Sequence, residues 1–284
     1  MALHSFALGD ATVTIFNVCD LRFDLADALP VDAATVDAKY RPYFTAPLSV
    51  PVQCIHIQLP QMALLVDAGL FDFGPDSPLV LPNYQPPPDL LTQMRTAGLD
   101  PVAVEHIIIT HAHGDHFNAL TIPQGNGYQP AFPNATVHLG RADWERPAMQ
   151  QERADPNSLA AHTFGVLHQQ RRLALTEGVQ ALGPNAQILS APGETPGHQL
   201  LRVTSQGETL YCLGDLYHHP VEVEQPTWGV SWADAAANLS SRQQLVTAAL
   251  RDDALLIATH ITGMGRLQTN DTGVTWIAVP PASS

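Results

Sequence analysis

The chain has 284 residues, 45% of them hydrophobic and only 14% charged, so it can bury a sizeable core and is not a disordered polypeptide. Its formal net charge is −14, from 13 basic and 27 acidic side chains, with Lys39 the single lysine. A polyanion meets repulsion and no basic stripe, which argues against a nucleic-acid partner; a bound metal would still dominate the field locally.

Residues 11–19 alternate apolar and polar side chains, as a half-buried strand does. Residues 20–51 carry Pro30, Pro42, Pro47 and Pro51 beside Tyr40, Tyr43 and Phe44, and are expected to be an irregular loop. Segments 52–59 and 62–67 predict a hairpin around Pro60-Gln61. Residues 74–88 hold Pro75, Pro78, Pro82, Pro86, Pro87 and Pro88, the composition of a stiff surface connection. Leu90, Leu91 and Met94 recur at helical spacing over 89–98, and Gly98 stops the pattern. The apolar run 104–109 and the segment 135–139 predict strands, and 141–150 and 158–174 predict helices. Strands are expected at 186–190, 199–204 and 208–213, a long helix at 234–252, a strand at 254–259, and a closing hairpin around Asn270-Asp271-Thr272-Gly273. Both halves run strands first and helices after, which predicts two mixed sheets packed face to face with helices outside.

Cys19, Cys54 and Cys212 lie in apolar, β-like stretches without Cys-x-x-Cys spacing, so buried free thiols are expected. Met1-Ala2-Leu3-His4-Ser5 shows no positive region followed by a long apolar stretch, and no apolar run is long enough to span a bilayer. A cytoplasmic protein without a membrane partner is expected, with a processed secreted form left open.

The chemistry concentrates in Thr110-His111-Ala112-His113-Gly114-Asp115-His116, directly after the apolar run 104–109. Three imidazoles and one carboxylate at the mouth of a strand are a set of ligands for zinc and neighbouring first-row metals. Further metal-capable residues recur where apolar strands give way to loops: His198 after Thr195-Pro196-Gly197, Asp215 after Leu213-Gly214, and His260 after 254–259. Loops at one rim of a rigid sandwich can assemble such a site from distant sequence.

The cluster, then a Gly-His, a Gly-Asp and a Thr-His in that order, resembles the metallo-β-lactamase superfamily over nearly the whole chain. The resemblance implies an α+β fold, a four-layered αβ/βα sandwich, as a single domain over 1–284. The 20–51 loop and the 140–175 helical segment would shape its pocket. It also implies two divalent metal ions, zinc first, with manganese, cobalt or iron as options. One would be held by His111, His113 and His198, the other by Asp115, His116 and His260, with Asp215 bridging both. Asp67, at the end of 62–67, is expected to accept the second ring N–H of a ligand histidine, His116; a turn-capping role is the alternative.

A water shared by two Lewis-acidic ions titrates near neutrality, so hydrolysis by a metal-bridging hydroxide is the expected reaction. Asp115 would carry a proton to the leaving group. Leu213-Gly214-Asp215-Leu216-Tyr217-His218-His219-Pro220 looks most like the branch with methyl parathion hydrolase and lactonase-type enzymes. Quorum-quenching lactonases have a tyrosine three residues after the bridging acid; here that position is His218, and Tyr217 is one earlier. The Gly-Asp-Leu-x-His pattern fits organophosphate hydrolases better. His218 is thus a candidate donor to the substrate oxygen or a loop buttress. The expected function is a hydrolase of small esters: a lactonase, arylesterase or phosphotriesterase. A homodimer is left open.

Tyr43, Phe44, Phe117, Trp144, Phe164, Tyr217, Trp228 and Trp232 are candidate pocket walls. His4, His56, His106, His138, His162 and His168 receive no metal role. Competing readings are a glyoxalase II-like thioesterase, a nuclease, a redox di-iron or mononuclear iron enzyme, and a non-catalytic metal-binding protein. Residues 261–284 are too short for the first one's helical domain, and the acidic balance opposes the second.

Overall fold

The computed structural model describes residues 4–32, 35–69, 81, 84–271 and 273–280. The expectations for Pro75, Pro78, Pro82 and Thr272, and for Met1 to Leu3, lie outside the described residues. In chain order the strands are β1 His4–Leu8, β2 Ala11–Phe23, β3 Leu48–Leu59, β4 Met62–Val66, β5 His106–Ile108, β6 Thr121–Gln124, β7 Gly127–Pro130 and β8 Thr136–Gly140. They continue with β9 Leu173–Thr176, β10 Val179–Ala181, β11 Ala186–Ser190, β12 Gln199–Ser205, β13 Glu208–Cys212, β14 Leu255–Ile257, β15 Met264–Asn270 and β16 Gly273–Val279.

Two seven-stranded sheets result, ordered β1-β2-β3-β4-β5-β8-β9 and β10-β11-β12-β13-β14-β15-β16, with β6 and β7 as a separate ribbon. Both sheets are mixed: β4, β5, β8 and β9 run parallel in the first, and β13 and β14 in the second. Val50–Ile57 of β3 is buried at every position, because both faces of the first sheet are covered. Val13, Ile55, Ile57, Leu64, Val66 and Ile108 of that sheet meet Ile188, Leu201, Val203, Leu210 and Ile257 of the second. The outer face of the first sheet carries Leu90 and Met94 of the helix Leu90–Thr96, Met149 of the helix Pro147–Ala154, and Phe164 and Leu167. Leu245 and Ala249 of the helix Ala235–Asp252 cover the second sheet's outer face, against Leu200, Tyr211 and Leu213. The layers are helix, sheet, sheet, helix: the four-layered α+β sandwich that the resemblance implies.

Local departures have physical reasons. The stretch 20–51 is strand at both ends, because β2 and β3 stay paired from Asp20↔Pro51 to Phe23↔Leu48 after a bulge at Asn17/Cys19. The helix expected at 141–150 breaks at Arg146, whose ψ of 138° is the extended conformation required before Pro147. The helix expected at 158–174 ends at Gln169; Arg171 turns with φ 57°, and β9 pairs in parallel with β8. Leu173 and Leu175 are two residues apart, a strand spacing that the longer helical pattern obscured.

Candidate metal centre

β4 and β5 end side by side, and the turns that follow them build the first wall of the site. Asp67, buried directly after β4, accepts the Thr110 backbone N–H at 2.8 Å and its hydroxyl at 2.9 Å. Its Oδ2 lies 2.8 Å from His116 Nδ1. A carboxylate only accepts, so that nitrogen carries the proton and Nε2 keeps its lone pair. The same logic applies on the second sheet. His260 Nδ1 donates to the Pro51 carbonyl at 2.8 Å, and His198 Nδ1 to the Ala191 carbonyl at 3.0 Å. Both rings thereby offer Nε2.

Two groups of donor atoms form, each within 4.8 Å: His111, His113, Glu194 and Asp215, and Asp115, His116, Asp215 and His260. Asp215 belongs to both, with Oδ2 at 3.3 Å from His116 Nε2 and 3.2 Å from His260 Nε2. His198 lies beside the first group, its ring centroid 5.3 Å from that of His111. Its Nε2 accepts the Asp215 backbone N–H at 3.2 Å. Six of the seven sequence-predicted ligands thus sit within the groups, His198 flanks them, and Glu194 enters from outside the prediction.

The donors fit two divalent cations. Buried His116 Nε2 and Asp215 Oδ1 make no hydrogen bond, a costly state for polar atoms unless a cation answers them. His111 Nε2 and His113 Nδ1 are 2.8 Å apart, two imidazole nitrogens converging on one point. Burial opposes charge on His116, yet Asp215, Asp115 and Asp67 outweigh it and hold its pKa well above the usual value. Burial and the neighbouring His116 and His113 push His111 the other way and keep it neutral. Burial raises the Glu194 carboxyl to about 7, with His218 opposing and Asp215 adding to the rise. A cation beside these groups would override such shifts.

Backbone clamps hold the loops in place. Asp143, fully buried, accepts the backbone N–H groups of Ala112 and Gly197 at 2.9 Å and the Thr195 hydroxyl at 2.8 Å. It ties the His111–His113 turn to the loop that carries His198. Gly197 is required there, because a Cβ would lie 2.5 Å from the Asp143 backbone nitrogen. Gly214, with φ 53°, is required before Asp215, because a Cβ there would lie 2.6 Å from Thr110 side-chain atoms.

A cavity of about 1160 Å³ opens above the donors, lined by His113, Asp115, Glu194, Asp215, His218 and His260 among others. Its aromatic walls are Phe23 and Trp232. Trp232 was expected; Tyr43, Phe44, Phe117, Trp144, Phe164, Tyr217 and Trp228 do not line it. Phe117 and Phe164 pack on each other in the core at a tilt of 30°, 4.4 Å between centroids. Trp144 packs on His168 beneath the Arg153 guanidinium. Tyr43 lies on His219, and Phe44 and Trp228 pair edge to face away from the donors. Tyr217 is buried below Arg242. Phe117, Phe164 and Tyr217 are buried in packed interiors instead. Phe23 was missed because it ends a strand inside the segment read as a loop. From the 140–175 segment Arg146 reaches the cavity, and from 20–51 Leu21, Arg22, Phe23, Asp24, Asp27, Ala28 and Val50.

His218 stands at the cavity floor, Nε2 at 3.4 Å from Asp215 Oδ2. Its ring is stacked between Phe23, at 5.4 Å and 3°, and His260, at 5.6 Å and 9°. Its backbone N–H donates to Glu222 Oε2 at 2.5 Å, and Glu222 Oε1 receives Arg242 Nη2 at 2.5 Å. Neither Glu222 nor Arg242 carried a sequence signal.

The family profile described as Metallo-beta-lactamase superfamily matches residues 50–260. The chain belongs to the metallo-β-lactamase superfamily. An N-acyl homoserine lactonase of Bacillus cereus is 25% identical over 226 residues, covering 75% of this chain and 82% of the relative. One from Bacillus thuringiensis is 24% identical over 230 residues, with the same shares covered. Among solved structures, AidC, a dizinc quorum-quenching lactonase in complex with a product, superposes with a TM-score of 0.79 at 20% identity, over 100% of this chain and 98% of that one. The hydrolase AbOPH, of the beta lactamase superfamily, gives a TM-score of 0.80 at 18% identity, over 99% and 98%. At such identities the superpositions establish the shared fold. The chain is therefore a metallohydrolase of the metallo-β-lactamase fold. No helix among the described residues is long and apolar enough to cross a membrane.

Proposed function

We propose that this metallo-β-lactamase-fold enzyme hydrolyses small neutral esters, lactones foremost, with aryl esters and phosphotriesters as further substrates of the same pocket. The observation that carries the reading is the convergence of two donor groups on one shared carboxylate, Asp215, at the floor of a cavity walled by Phe23 and Trp232. The lactonase relatives support the lactone preference. His111, His113 and His198 would hold one cation, Asp115, His116 and His260 the other, with Asp215 shared and zinc the first choice. When bound, two such cations supply a water nucleophile near neutral pH and polarise the scissile carbonyl or phosphoryl group.

The chain's own groups do the rest. Asp115 is the least buried of the donor carboxylates and lines the cavity, so it can take up a proton and pass it to the leaving alkoxide. Burial lowers the His218 pKa while Asp215 and Glu222 raise it above the usual value, and the ring presents Nε2 3.4 Å from Asp215 Oδ2. Its Nε2–H is available to the substrate oxygen at the place where quorum-quenching lactonases present a tyrosine. Phe23 and Trp232 press the apolar part of the ester and exclude water.

Elemental analysis of purified protein, coupled to a panel of γ-lactones, p-nitrophenyl esters and paraoxon-type triesters, tests this reading. Zinc or manganese with ester turnover, lactones fastest, is expected. Tightly held iron with oxygen uptake and no hydrolysis would replace it with the redox alternative.

A further inference from the structure

We propose that Glu194 is a protein ligand of the first cation, giving that site its own carboxylate besides the shared Asp215. The inference rests on the dinuclear reading above and goes beyond the ligands that reading assigns. Glu194 sits in Ala191-Pro192-Gly193-Glu194-Thr195-Pro196-Gly197, the loop that leads to His198. Its side chain is 1% exposed, and one of its oxygens lies within 4.8 Å of the donor atoms of His111, His113 and Asp215.

The two carboxylate oxygens differ in their surroundings. Oε1 accepts the Trp232 indole N–H at 2.6 Å and lies 3.3 Å from His113 Nδ1. Oε2 is buried and makes no hydrogen bond. A buried carboxylate whose Oε1 is fixed by the indole and faces His113 Nδ1, and whose Oε2 has no hydrogen-bond partner, has the form of a metal ligand fixed by its outer partner.

Charge and hardness give the consequence. Asp115, Asp215 and Glu194 together set three negative charges against two divalent cations. Glu194 also makes the first site richer in oxygen, and oxygen donors favour manganese relative to zinc more than imidazoles do. The first site should therefore hold manganese better than a site of imidazoles alone.

The test uses the full chain, stripped of metal by chelator and then titrated separately with Zn²⁺ and Mn²⁺ against a competing chelator. Wild type is expected to bind two equivalents of either cation. In Glu194→Gln, which keeps an oxygen to accept the Trp232 N–H, one equivalent should weaken by about 10-fold or more, with Mn²⁺ losing more than Zn²⁺. A purely structural role would weaken both metals alike, and that result, or unchanged affinity for both, overturns the proposal. Should Glu194→Gln fail to fold by circular dichroism, the indole emission of wild type against Trp232→Phe decides. A Trp232-dependent change during metal binding is expected, because the indole shares a carboxylate with the cation; no such change overturns it. Wild type taking up fewer than two cations would sink the dinuclear reading itself, a result separable from failure of the Glu194 assignment.

Discussion

Asp67 occupies the left-handed region with φ 59°, a conformation that aspartate tolerates better than branched or bulky residues. Thr110 holds it there through two hydrogen bonds, and Asp67 in turn directs the His116 ring toward Asp215. Asp67→Ala should weaken metal binding by about 10–100-fold, read by elemental analysis and chelator competition. Unchanged occupancy and activity would reduce Asp67 to a turn cap. The His218 assignment divides just as sharply. His218→Phe preserves a ring between Phe23 and His260 but removes the donor. With metal content unchanged, kcat should fall by about 10²–10³-fold, the range for a lost oxyanion donor. Full activity in that variant would make His218 a loop buttress. Neither outcome could be forecast from the residue types, because a histidine near a bridging acid serves both roles equally well until its neighbours are known.

The helix Ala235–Asp252 was legible from its apolar positions; Asp234 caps it, accepting from the Ala236 and Ala237 N–H groups at 3.0 Å. Its contribution to the site was not legible. Arg242, 1% exposed, reaches from this helix to the carbonyls of Leu216, Pro226 and Trp228 and to Glu222, and so braces the segment that carries His218. Arg242→Ala leaves Glu222 buried and unpaired, at a cost of about 3–5 kcal/mol in denaturant unfolding. The pH dependence follows with a definite sign. Burial opposes ionisation of Glu222, but Arg242 and His218 outweigh it and bring its pKa from 4.5 to about 2. A depressed folded pKa stabilises fully above the unfolded value and is lost as pH falls. The stability difference between wild type and Glu222→Gln should therefore be constant above about pH 5 and shrink between pH 4.5 and about 2. A difference that held its size down to pH 2 would mean that folding leaves the Glu222 pKa unshifted.

At the scale of the whole molecule, the donors come from both sheets: His111, His113, Asp115 and His116 follow β5, whereas His198, Asp215 and His260 lie at the ends of second-sheet strands. Cations held between them tie the two halves together, so removing metal should lower stability. The loss is about 2.7 kcal/mol for a free metal concentration 100 times its dissociation constant, visible as a concentration-dependent Tm. A Tm indifferent to chelator would place the cations outside the folding equilibrium. Sequence alone determined the alternation of strands and helices, the layer architecture and the placement of metal-capable residues at strand ends. Those features are written in local periodicity and in short spacings, which survive without knowledge of the fold. Tertiary structure alone decided which faces meet. It sent Phe117, Phe164 and Tyr217 into packed interiors, brought Phe23 and Trp232 to the cavity, and set Asp143, Glu194 and Glu222 among the loops. A buried carboxylate has no sequence signature, because partners such as Gly197 for Asp143, Trp232 for Glu194 and Arg242 for Glu222 lie tens of residues away and only close packing makes them neighbours.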